Sequence, residues 1–130
     1  MLDLPFPCGK HLDALSRQAQ GNDCFRVKCP GLEFSLSGVQ NKVQQYFGAG
    51  NNPAETASYA LRSVCQAVLS ATRNAIRQYP NLPVVLSGGV ASNSMLRSEL
   101  AALDPVFAEP VFSTDNAMGV AILASRLSGG

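Results

Sequence analysis

The sequence predicts an α/β unit, rich in helix and carrying a small sheet of two or three strands. Three features predict it. The apolar run 84–87 enters Gly88-Gly89 and then small polar residues that lead into a helical pattern over 92–103. A short strand at 106–108 leads to a second polar corner, Ser113-Thr114-Asp115-Asn116, before an apolar helix over 116–127. A long amphipathic pattern over 53–79 comes ahead of both. Helices followed by β-α-β-α make half of an α/β domain.

The elements follow in order. Residues 1–7 resemble the tail of a loop entering a domain already in progress. A short helix is expected over 9–19, with Leu12, Leu15 and Ala19 on one face. Gly21-Asn22-Asp23 and Pro30-Gly31 break 20–32 into loop. Residues 33–37 alternate polar and apolar, as in a short strand or extended arm. A helix over 37–47 takes Ser37 as its cap and shows Val39, Val43 and Phe47 on one face. Asn52 caps the long helix, Pro53 occupies its first position, and Glu55 favours the helix dipole. Its apolar stripe is Ala57, Leu61, Val64, Val68, Thr72, Ala75 and Tyr79. An unbroken run over 53–79 is roughly 40 Å long at about 1.5 Å per residue. The fully apolar 84–87 is of the type buried in a parallel sheet. Small residues Ala117, Gly119, Ala121 and Ala124 make the last helix thin enough for close packing.

A chain of 130 residues suits one domain, and 46% hydrophobic residues are enough for a core. Charged residues are only 15%, so part of this surface is expected to be covered, and self-association is expected. A net charge of +1 gives no basic stripe and no compositional support for strong binding to a phosphate backbone. No signal peptide and no membrane-spanning stretch is evident. The four cysteines show no Cys-x-x-Cys pair and no disulfide framework, which suits free thiols in a cytoplasmic protein. Zinc at Cys24 and Cys29 would need two further ligands, and the only histidine is His11.

Two polar corners on small-residue helices suggest a nucleotide pocket, because glycine backbone and helix N-termini offer N–H groups to an anion. Each residue also has a plainer reading. Gly88-Gly89 is an ordinary strand-to-helix turn or a phosphate approach. Asn93 is a helix cap or a ribose or base contact. Asp115 is a cap or a metal-ligating carboxylate. Asp13 is a solvated surface group or a partner for sugar hydroxyls.

The segments that carry these residues resemble one family. "VVLSGGVASNSMLRSEL" is similar to its "GGVAAN…LR", and "FSTDNAMGVAI" to its "CTDNAAMIA". "LDLPFPCGKHLDALSRQA" is similar to "L…YPGGP.LDKLA", and "FSLSGVQNKV" to "FSFSGLKTAV". Order and spacing agree over nearly the whole chain. The family is the tRNA threonylcarbamoyladenosine transferases, TsaD, long called O-sialoglycoprotein endopeptidase or glycoprotease. The resemblance implies an actin-like ATPase (ASKHA) fold of two duplicated α/β lobes, with residues 1–130 as a single C-terminal lobe fragment. It implies a nucleotide site of Gly9, Asp13, Gly88, Gly89 and Asn93, and a divalent metal, iron or zinc, ligated by Asp115. It further implies threonylcarbamoyl-adenylate and tRNA as substrates, and a homo- or heterodimer with a related protein.

The sequence also departs from the family. Pro-Gly-Gly-Pro reads Pro7-Cys8-Gly9-Lys10, Lys-Thr reads Gln40-Asn41, and the Cys before Thr-Asp-Asn is Ser113. The family's His-x-x-x-His metal pair is absent from these residues. One aspartate cannot hold the metal alone, so the chain by itself is expected to be inactive. Two further readings stand beside the transferase: a degenerate paralogue acting as a non-catalytic interaction partner, and the old metalloprotease label. No His-Glu-x-x-His helix supports the last.

Overall fold

The structure, a computed structural model, describes residues 4–5, 8–109 and 125–126. The corner at 113–116, with Asp115, lies outside these residues, as does all but 125–126 of the helix expected over 116–127.

Helix α3 (Pro53–Gln78) is the axis of the fold, 26 residues long, or about 39 Å at 1.5 Å per residue. It starts as its sequence predicts, with Asn52 Oδ1 accepting the Glu55 N–H at 2.9 Å and Pro53 following the cap. Helices α1 (Cys8–Ser16), α2 (Val39–Gly48) and α4 (Ser94–Leu100) all pack on it. Strands β1 (Val85–Leu86) and β2 (Val106–Phe107) form a parallel pair in the register Val85 with Val106 and Leu86 with Phe107.

Several expectations need correction. α2 begins after Gly38 with no side-chain cap; the Ser37 hydroxyl instead shares a 2.8 Å hydrogen bond with that of Ser35. Of the two readings for 33–37, a short strand or an extended arm, the strand drops out, since 33–36 form none. The helix expected over 92–103 is divided, with a 3-10 turn before it (Gly89–Ser92) and another after it (Ala101–Leu103). Asn93 causes the first division, because its extended backbone (φ −66°, ψ 132°) lets its side chain cap α4. The sheet is parallel, but it is not buried: Val85 is 64% and Val106 60% exposed.

The stripe expected on α3 is also incomplete. Its buried residues are Thr56, Ala57, Ser58, Ser63, Cys65 and Ala67, mostly small or hydroxylated. Neighbours on more than one side explain this, since a helix enclosed from several directions needs short side chains around it rather than one large stripe. Two cores result. One gathers Val27, Val39, Val43 and Ala67 between α2, α3 and the loop after α1. The other gathers Cys65, Leu96 and Leu100, with Leu86 and Phe107 packed against them.

Candidate functional site

Residues 80 positions apart meet at the start of α4. Asn93 Oδ1 accepts the Leu96 N–H at 3.0 Å, so the residue is a helix cap. Its amide Nδ2 then donates to Asp13 Oδ1, on α1, also at 3.0 Å. Ser94 Oγ donates to the same Asp13 oxygen at 2.8 Å. Asp13 Oδ2 accepts from Arg17 Nη2 at 3.1 Å and from the Ser94 N–H at 3.4 Å. Gly9 precedes Asp13 by four residues and so lies on the same face of α1. The structure thus brings Asp13, Asn93 and the Gly88-Gly89 corner together. Both Asp13 oxygens and both functional ends of the Asn93 amide already have protein partners.

The glycines differ in what they require. Gly88 has φ 95°, a left-handed conformation that a side chain would strain. Among the described residues, a Cβ built on Gly9, Gly88 or Gly89 meets nothing within 4 Å. Of the three, Gly88 alone is demanded by the backbone, and all three are open toward the described residues. Beside them the Ser92 hydroxyl is buried without a hydrogen-bond partner among the described residues.

Sequence reasoning missed three residues here. Ser94 and Arg17 complete the set of donors around Asp13. Arg97 fastens the Gly-Gly corner to the end of β2: its Nε donates to Ala91 O at 2.9 Å and its Nη2 to Ala108 O at 3.0 Å. The guanidinium also lies over the Phe107 ring, 4.6 Å from its centroid. The available signal was the position of Arg97 one turn past a capping Asn.

No three His, Cys, Asp or Glu side chains come together as a metal site among the described residues. These residues do not themselves make the donor set that iron or zinc requires. Cys8, Cys24, Cys29 and Cys65 form no disulfide. Among the described residues no helix is long and apolar enough to cross a membrane.

A parallel strand pair whose first strand turns through glycine into a capped helix defines a helix-rich α/β unit. The crystal structure of T. kodakarensis HypF shares this fold, with a TM-score of 0.61 at 21% identity over 82% of this chain and 14% of that one. The sequence model of TsaD, tRNA N6-adenosine threonylcarbamoyltransferase, matches residues 1–122, and the chain belongs to that family. The tRNA N6-adenosine threonylcarbamoyltransferase of Streptococcus suis (strain 05ZYH33) is 33% identical over 78% of this chain and 33% of its own length. That of Carboxydothermus hydrogenoformans is 32% identical over 93% of this chain and 40% of its own. The chain thus spans between a third and two fifths of the length of these relatives.

Proposed function

We propose that this chain is the adenylate-holding C-terminal part of a tRNA threonylcarbamoyltransferase with an actin-like ATPase fold, working in the cytoplasm and inactive alone. The open Gly9, Gly88 and Gly89 backbone receives the phosphate of threonylcarbamoyl-adenylate, and Asp13 and Asn93 hold its ribose. Asp115 is one ligand of an iron or zinc ion whose remaining ligands lie outside these residues. A related protein is the dimer partner.

The observation that carries the reading is the meeting of Asp13 and Asn93 at 3.0 Å, which unites two motifs from opposite ends of the described chain at one glycine corner. Calorimetric titration with AMP tests it. The chain is expected to bind AMP, and Gly88→Val, which strains the corner, is expected to weaken binding at least tenfold. Absence of AMP binding by the folded chain at millimolar concentration would remove the reading.

A second reading is favoured by the same contacts. Asp13 and Asn93 are already engaged with each other, as in a structural clasp, which suits the non-catalytic paralogue. If the folded chain ignores AMP yet assembles with a full-length relative, that reading takes precedence.

A further inference from the structure

The loop after α1 is laid along α3 by a row of side chains. Glu55 Oε1 accepts the Gln20 N–H at 2.8 Å, Ser63 Oγ accepts the Phe25 N–H at 2.9 Å, and Gln66 Oε1 accepts the Val27 N–H at 2.8 Å. Further along, Asn74 Nδ2 donates to Cys29 O at 3.2 Å and to Gly31 O at 2.7 Å. The anchors rise along α3 in the same order as the loop residues, so the strap runs parallel to the helix. Its length agrees: residues 20–31 in extended form reach about 35 Å, and 55–74 of a helix about 29 Å. At about 100° per residue, Glu55, Ser63, Gln66 and Asn74 share one face of α3.

This geometry concentrates positive charge. Val27 is buried while Arg26 and Lys28 on either side of it are exposed, so both cations project from the outer side of the strap. Arg73 and Arg77 are exposed and occupy the same α3 face, next to the Asn74 anchor. Lys42 on α2 lies over the Phe25 ring at 5.9 Å and extends the strip at its other end. These are five of the ten Lys and Arg residues in the chain. No acidic residue occurs in 25–31 or in 63–78; Asp23 and Glu33 lie beyond the two ends of the strap, and Asp23 accepts a 3.4 Å hydrogen bond from Tyr46. None of Arg26, Lys28, Arg73 and Arg77 has an ion-pair partner among the described residues.

We infer that the strip of Arg26, Lys28, Lys42, Arg73 and Arg77 is a docking surface for the phosphate backbone of RNA. It rests on the reading of the chain as part of a tRNA-modifying enzyme and assigns the surface that holds that substrate. A linear row of exposed, unpaired cations complements a line of phosphodiesters and contributes affinity without reading bases. The near-neutral total charge hides it, because the acidic residues fall outside 25–31 and 63–78.

The test is the affinity of the chain for an unmodified tRNA transcript, measured over a series of salt concentrations. The wild type is expected to bind with log K falling linearly in log salt. The variant Arg26→Gln, Lys28→Gln, Arg73→Gln, Arg77→Gln removes no anchor of the strap and should keep the thermal midpoint. It is expected to bind at least tenfold more weakly, with a salt slope shallower by about 3 to 4, at about 0.9 per lost phosphate contact. Lys10→Gln on α1 should stay within about twofold of the wild type. Unchanged affinity and slope in the quadruple variant would overturn the proposal, as would absence of tRNA binding by the wild type at low salt. Polyglutamate binding as tightly as tRNA would overturn it too, in favour of an acidic protein partner. AMP binding, measured on the same samples, separates the two readings. Its retention by a chain that ignores tRNA removes the strip and leaves the adenylate site standing.

Discussion

The two sides of α3 solve the same problem in different ways. On the α2 side an extended segment finds no strand to pair with, and helix side chains satisfy its backbone: Ser63 and Gln66 take the N–H groups of Phe25 and Val27. On the α4 side the extended segments pair with each other, Val106 N–H to Val84 O at 2.8 Å and Ala108 N–H to Leu86 O at 2.9 Å. Buried backbone groups need partners wherever they are. Helix α3 thus serves as a scaffold on one side and as a layer of an α/β sandwich on the other. The glycine corner belongs to the second side and the cationic strap to the first.

The largest effect is expected in the α4-side core. Leu100 is fully buried, and Leu100→Ala should cost about 2–5 kcal/mol in denaturant unfolding. A loss under 1 kcal/mol would mean that this side is loosely packed. On the strap side, Ser63→Ala leaves the Phe25 N–H without its acceptor and should cost about 1–3 kcal/mol. Hydrogen exchange at Phe25 and Val27 should accelerate while the Leu96 and Leu100 amides stay protected. Equal acceleration on both sides would deny that they are separable.

Arg97→Lys keeps the charge but loses the fork between Ala91 and Ala108 and the stacking on Phe107. It should cost about 1–2 kcal/mol and loosen the glycine corner, seen as faster exchange at Val90 and Ala91. No change would show that the corner stands without its tie to β2.

The last effect is absent at neutral pH and appears only as the pH rises. Burial pushes the Cys65 thiol up to about 12, helped by the Glu99 charge and opposed by Arg62, with a smaller upward push from Asp13. The thiol of the unfolded chain titrates near 9.0. The unfolded state therefore releases this proton first, and the Cys65 contribution to stability, complete below pH 9, declines between pH 9 and about 12. Tyr46 and Tyr59 are also raised, chiefly by burial, and act in the same direction. Comparing thermal midpoints of the wild type and Cys65→Ala across this range isolates the cysteine. The gap between them should narrow as pH rises, and a constant gap would contradict the assignment.

The start of α3 and much of the α4 side were legible in the sequence. Pro53 behind Asn52, the apolar run into Gly88-Gly89 and the position of Asn93 are local signals, and each acts locally in the structure. The strap was not legible. Beyond Glu55, its anchors are Ser63, Gln66 and Asn74, polar residues whose partners lie 38, 39 and 45 positions away, and no periodicity marks a helix face that binds backbone. The apolar stripe drawn on α3 holds only in part, at Ala57 and Val68, since burial around that helix follows its neighbours on several sides. Asp13 was left open between a surface group and a sugar contact, and its partners Arg17 and Ser94 sit at positions that look like ordinary surface. Exposure of Val85 and Val106 was likewise hidden, because an apolar strand reads as buried whether or not a further layer covers it.

The glycine corner works only if Asp13 and Asn93 act there as one unit. A double-mutant cycle with Asp13→Ala, Asn93→Ala and both together, read in unfolding free energy and in AMP affinity, tests this most directly. The account predicts a coupling of about 0.5–3 kcal/mol in stability, with either single change abolishing most of the AMP binding. Strictly additive losses in stability, with AMP affinity unmoved by either change, would contradict it.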